Sequence, residues 1–127
     1  LVNLFFMLLN EGRAPDGSAL LQPATARQLV ARRRIGMFDH MQGVTCDWSL
    51  GLFVGAAGLL GAHASADTFG HAGSQSSVGW ADPGRHGGFA ACVCANGKPG
   101  PDQNRERMNR IATALYEDLG DSRVIVA

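Results

Sequence analysis

Neither sign of charge predominates in this 127-residue sequence: eleven Lys and Arg stand against eleven Asp and Glu. A nucleic-acid partner is excluded on that ground, because such partners select for a basic excess. Cysteine is scarce. Cys46, Cys92 and Cys94 are an odd set without paired spacing, which excludes a disulfide framework and fits a reducing compartment such as the cytoplasm. The four histidines (His40, His63, His71, His86) lack ligand spacing such as HxxxH, so the residues imply no metal and no cofactor. There is no long apolar run. Leu50 to Ala62 is thirteen residues and rich in glycine, whereas a helix needs about 20 to span a bilayer, so no membrane span is expected. The opening LVNLFFMLL has no basic flank and no cleavage site, and reads as a helix rather than a signal peptide. The glycines at 51, 55, 58 and 61 do not form G-x-G-x-x-G and no lysine follows them. G-x-S-x-G is absent as well.

What is present suits one domain with a buried core, since 46% of residues are hydrophobic and 17% charged. Leu1, Leu4, Phe5, Leu8 and Leu9 fall at helical spacing, and Phe6 and Met7 widen that face until the helix is mostly buried. Pro15-Asp16-Gly17 is a turn. Pro23 opens a second helix, where its missing N–H costs nothing. Gly36 is expected to end that helix, with Arg32-Arg33-Arg34 as its solvated end. Residues 37–47 read as a loop. Residues 48–55 read as one strand with Trp48, Leu50, Leu52 and Val54 on one side. Strands follow at 68–72, 75–81 and 87–95, the last two joined by a hairpin through Asp82-Pro83-Gly84. Cys92 and Cys94 share a strand face as small buried thiols, and Trp80 and Phe89 are packing residues. Asp102 is expected to cap a last helix with Met108, Ile111, Ala112, Leu115 and Leu119 as its stripe. The order of elements predicts an α+β fold, an antiparallel sheet with flanking helices.

The stretch FGHAGSQSSVGWADPGRHGGFAACVCANG resembles the C-terminal part of the serine β-lactamase-like family, which includes class C β-lactamases, penicillin-binding proteins and related esterases. The resemblance rests on Gly70-His71-Ala72-Gly73, Ala81-Asp82-Pro83 and Ala95-Asn96. MLLNEGRAPDGSALLQPATARQLV, WSLGLFVG and the final helix are similar to the family's preceding and closing elements, so about residues 1 to 119 are covered. This implies the C-terminal part of a β-lactamase/transpeptidase-like fold, with 1–127 a single partial domain. It implies that His71 takes the lysine position on one wall of the active site, facing a small-molecule ester or amide. Gly73 keeps that wall flat, and the backbone N–H of Ser74 completes an oxyanion hole. It also implies that strands missing from this chain pair beside residues 87–95, leaving a bare apolar edge open to association.

Two family elements are missing. The only lysine is Lys98, and residue 95 is alanine, so Ser-x-x-Lys does not occur. The only tyrosine, Tyr116, is followed by Glu117 and Asp118, so Tyr-x-Asn does not occur either. Ser74, Ser76 and Ser77 lie near His71, but three positions along a strand span ~10 Å, too far for a serine–histidine pair. Two expectations follow. Either the chain is part of a serine hydrolase whose nucleophile precedes Leu1, or it is a non-catalytic remnant that binds a ligand or partner through the old cleft. His71 itself can also be read as a strand residue that hydrogen-bonds a neighbouring loop, and His63 and His86 as loop residues.

Overall fold

The structure, a computed structural model, describes residues 1–55, 58–73, 76–85, 87–97 and 100–120. Two short helices, α1 (Val2–Leu9) and α2 (Pro23–Val30), come first. Six strands follow: β1 (Arg34–Asp39), β2 (Val44–Trp48), β3 (Phe53–Val54), β4 (Phe69–Gly73), β5 (Ser77–Asp82) and β6 (Phe89–Cys94). A long helix, α3 (Pro101–Gly120), closes the described chain. The strands form one antiparallel sheet in sequence order, so every connection joins spatial neighbours. The fold is α+β, with helices flanking an antiparallel sheet, as the order of elements predicts. No helix among the described residues is long and apolar enough to cross a membrane.

The sheet carries a core on each face. Along β5, Val78 and Trp80 pack with Phe53, Ala72, Leu60 and the α3 residues Met108 and Ala112. Ala81 points the other way and packs with Phe5, Met7, Leu8, Val54 and Phe69. Side chains alternate along a strand, so a strand covered on both faces must be apolar at every position. β5 is buried from Val78 to Asp82 for that reason. Full burial of each large apolar side chain contributes roughly 1.5–3 kcal/mol. Trp80 is such a residue, and Phe89 packs against the same cluster, as expected.

Several sequence expectations are corrected. Residues 37–47 are not a loop but most of a β1–β2 hairpin, closed by Asp39, whose carboxylate accepts the N–H groups of Met41 and Gln42. All of β1 but Asp39 is exposed, so no alternation of polar and apolar residues marks it in the sequence. Gly36 does not stop a helix. It sits at φ +63° where the β1–β2 register slips, a bulge that favours glycine. α2 ends earlier, at Val30, because Ala31 is already extended and Arg33 N–H bonds the Trp48 carbonyl. Arg32 stays exposed but reaches to Asp47 and the Ala66 carbonyl instead of ending a helix. The strand expected at 48–55 is broken by a turn in which Ser49 N–H bonds the Leu52 carbonyl, and Leu50 is exposed. Leu1, which precedes α1, and Val2 and Leu4 within it are also exposed, because the sheet covers only one side of that helix. Cys46 is buried but Cys94 is exposed, on the edge strand β6. Asp102 lies within α3 and takes a hydrogen bond from Arg105 rather than capping the helix.

Among the described residues, one charged side chain lies in the core. Asp82 is fully buried, and its carboxylate accepts four hydrogen bonds. The donors are Ser65 N–H (2.9 Å) and Oγ–H (2.5 Å), Gly84 N–H (2.9 Å) and Tyr116 O–H (2.6 Å). Burial pushes its pKa up, but the donated bonds from Ser65 and Tyr116 outweigh it, and the carboxyl sits below its ordinary value. The Tyr116 phenol is pushed well above its ordinary range, first by burial and then by the carboxylate it serves.

Removal of the phenol donor by Tyr116→Phe is expected to cost about 1.5–3 kcal/mol, the range for hydrogen bonds to charged groups, read from urea unfolding at neutral pH. The folded pKa of Asp82 is depressed, so the stability it contributes is present above the unfolded value of about 3.9 and is lost as pH falls through the folded one. Asp82→Asn should therefore flatten the decline in stability below pH 4 while lowering stability at pH 7.

Candidate functional site

β4 carries two of the three sequence-predicted residues, His71 and Gly73. His71 is held opposite Gly79 of β5, and Gly73 opposite Ser77. His71 and Gly73 are two apart on the strand and share a face. The space opposite His71 is not occupied by a β5 side chain, because a Cβ at Gly79 would run into the ring of Phe5 from α1. α1 thus lies close over β5 while the imidazole stays exposed.

The imidazole is set among aromatic rings. It stacks nearly parallel to Phe53, with centroids 5.9 Å apart and planes at 15°. Trp48 meets it at 6.0 Å and 67°, and meets Phe53 edge-on at 5.8 Å. Phe53 is buried and Trp48 half-buried, so two packed rings support a third that faces solvent. Among the described residues no hydrogen bond is made by the imidazole, so the reading of His71 as a tie to a neighbouring loop gains no support. Trp48 and Phe53 were not identified from the sequence as neighbours of His71. The signal that would have found them was the turn at 49–52, which sets β2 and β3 side by side with Trp48 opposite Phe53.

The serines near His71 have separate fates. Ser74 lies outside the described residues. Ser76 is buried at φ +61° and donates its hydroxyl to the Gly97 carbonyl at 2.8 Å, which ties the β4–β5 turn to the segment after β6. Ser77 Oγ occupies the space that a side chain at Gly73 would fill. Gly73 therefore makes room for a neighbouring hydroxyl as well as leaving its own position flat. Tyr116 is spent on Asp82, and its raised pKa is the reverse of what a general base requires. His63 faces Glu117 on the surface, and His86 and Lys98 lie outside the described residues. Open concavities lie at α1 against residues 14–20, about 430 Å³, and on the outer face of α3, about 510 Å³; neither includes His71.

No family model and no curated protein matches this chain. A solved structure does. The chain is similar to the crystal structure of a novel penicillin-binding protein homolog from Caulobacter crescentus, with a TM-score of 0.67 and 26% sequence identity. The match covers 91% of this chain and 30% of that one, so the chain spans less than a third of the length of that protein. The fold is thus penicillin-binding-protein-like, as the resemblance implied. Within it β6 is an edge strand, hydrogen-bonded to β5 alone among the described strands.

The close approach at Gly79 is testable. Gly79→Ala forces the Phe5 ring to move and should cost about 1–3 kcal/mol, as overpacking of a core does. Phe5→Leu removes the atoms that would collide. The double variant is expected to lose less stability in urea unfolding than the two single losses added together.

Proposed function

We propose that this chain is a single partial domain, the C-terminal portion of a β-lactamase-related serine hydrolase that works through an acyl-enzyme on a small ester or amide. In this reading it supplies one wall of the cleft. The nucleophilic serine and its lysine lie in a part of the protein outside these residues, and further strands add at the free edge of β6. The observation that carries the reading is the exposed His71, supported on Phe53 and Trp48 and making no hydrogen bond among the described residues. It lies in a fold similar to a penicillin-binding protein homolog over 91% of this chain.

The chemistry assigned to the wall is limited. The serine oxygen adds to the substrate carbonyl, the bond to the alcohol or amine leaving group breaks, and that group departs with the serine proton. Water then cleaves the acyl-enzyme and frees the acid. His71 donates a hydrogen bond to substrate or to the group that relays the proton. The resemblance assigns the backbone N–H of Ser74, which lies outside the described residues, to the oxyanion, where a preorganised donor acts on charge that develops only in the transition state. Gly73 lets the substrate lie along β4.

The test uses p-nitrophenyl acetate. The 127-residue chain alone should give no turnover above buffer. In the longer protein, His71→Ala should lower kcat/KM by ~100-fold, the lower end for loss of a positioned acid–base group. Turnover by the isolated chain that His71→Ala abolishes would overturn the reading, as would an unchanged rate in the longer variant.

A further inference from the structure

We propose that β1 is a docking edge for a second copy of this chain, whose own β1 pairs with it antiparallel about a two-fold axis beside Met37. The contact lies at the opposite end of the sheet from β6 and does not rest on the hydrolase reading.

β1 lacks the usual protection of an edge. Its outer side is hydrogen-bonded to no described strand, so it offers a row of N–H and C=O groups to another strand. Lysine and proline, which commonly guard such edges, are absent from Arg34–Asp39. Its apolar side chains stand in solvent instead: Ile35 is 74% exposed, Phe38 55% and Met37 49%. Neighbouring exposed apolar residues on one ribbon mark a contact surface.

The bulge decides the register. Arg34, Met37 and Asp39 lie opposite Trp48, Cys46 and Val44, alternate residues of β2. The three β1 side chains therefore share one face. Residues 35 and 36 together fill a single step opposite Asp47, whose carboxylate accepts the Gly36 N–H. Ile35 and Phe38 thus belong to the other face. Six residues occupy five steps, reading cation, apolar, apolar, apolar, anion, with Met37 in the middle. Turned antiparallel upon itself, such a ribbon is complementary at every step. Arg34 meets Asp39 of the second copy, Ile35 meets its Phe38 and Met37 meets its Met37, each pair on one face of the extended sheet. Without the bulge, Arg34 and Asp39 would fall on opposite faces and this pairing would fail.

The charges are available for it. Arg27, Arg32 and Arg105 are each paired with an acid of their own chain. Arg34 is exposed and is given no acid by any described residue. The turn after β1 uses one oxygen of Asp39, Oδ1, for the N–H groups of Met41 and Gln42. No described residue donates to Oδ2, which is left for the guanidinium of the second copy. A two-fold contact makes each pair twice. Six residues a side fall well short of the roughly 20–30 of a standard interface, so the dimer is reversible and β1 stands free in dilute solution.

The test is sedimentation velocity of the 127-residue chain, followed up to about 1 mM, the weak end of specific association. The 13.4 kDa monomer should pass into a dimer as concentration rises. Arg34→Asp and Asp39→Arg each set like charges together at both ends of the ribbon. Each should weaken the dimer about tenfold, since an exposed pair is worth up to about fivefold and is made twice. Mixing the two variants sets acid against base at both ends again, and should restore association to the level of the unmodified chain. Met37→Cys, in a chain carrying Cys92→Ser and Cys94→Ser, should crosslink as a dimer on mild oxidation, because the axis sets that position against itself. If Asp39→Arg does not fold for want of its turn, the Arg34→Asp chain and the crosslink decide the matter. A chain that stays monomeric throughout would overturn the proposal, as would a mixture of folded variants no stronger than its components or failure of the crosslink. A dimer that Arg34→Asp leaves at full strength would place the contact elsewhere, at β6 for instance, and would overturn it too.

Discussion

A single buried carboxylate fixes the relation between the sheet and its long helix. Asp82 ends β5, and its two oxygens reach three other places: the 65–68 segment, the β5–β6 turn and Tyr116 of α3. An ionised group in a core is tolerated only when donors replace the water it has lost. The four donors here come from residues far apart in sequence, so each must be in place for the charge to be stable. The same requirement aligns α3 along the face of the sheet that carries Trp80 and Val78. α1 is left to the opposite face, where Phe5 meets Gly79, the register partner of His71.

That arrangement explains why the imidazole is available. A histidine between glycines on a central strand would normally be covered by the neighbouring helix. Here the Phe5 ring is spent on Gly79, and His71 rests instead on Phe53 and Trp48. Aromatic contacts of this kind hold a ring in place without using its nitrogens. These contacts leave the ring nitrogens unused. Stability and availability are thus arranged by different atoms of one side chain.

The elements that were legible in the sequence are those whose pattern is imposed by burial. β4, β5, β6 and α3 each pack at least one face into a core, and their apolar residues fall where strand or helix geometry demands. The hairpin β1–β2 was invisible because nearly all of β1 faces solvent, and burial therefore selects no alternation there. Gly36 was misread for a related reason, since a glycine that relieves a bulge looks in one dimension like a glycine that stops a helix. For the candidate site, the place of His71 on a strand followed from the order of short motifs. Its aromatic support did not, because Trp48 and Phe53 are 23 and 18 residues before it and are brought near only by pairing through two short strands. Tyr116 could be named as the lone tyrosine, but its bond to Asp82 depends on how α3 crosses the sheet, and no local signal records that.

The contrast between the two sides of the sheet has a consequence for its breathing. β5 lies between two layers and is flanked by partners on both edges, whereas β1 is an outermost strand with solvent above and below. Local opening is cheapest where few apolar contacts are lost. Amide protons should therefore be released in a gradient, soonest from the Arg34–Asp39 ribbon and slowest from the strand that carries Trp80. The guanidinium of Arg34 and the indole of Trp48 sit at the loose end of that gradient and the imidazole of His71 nearer its tight end.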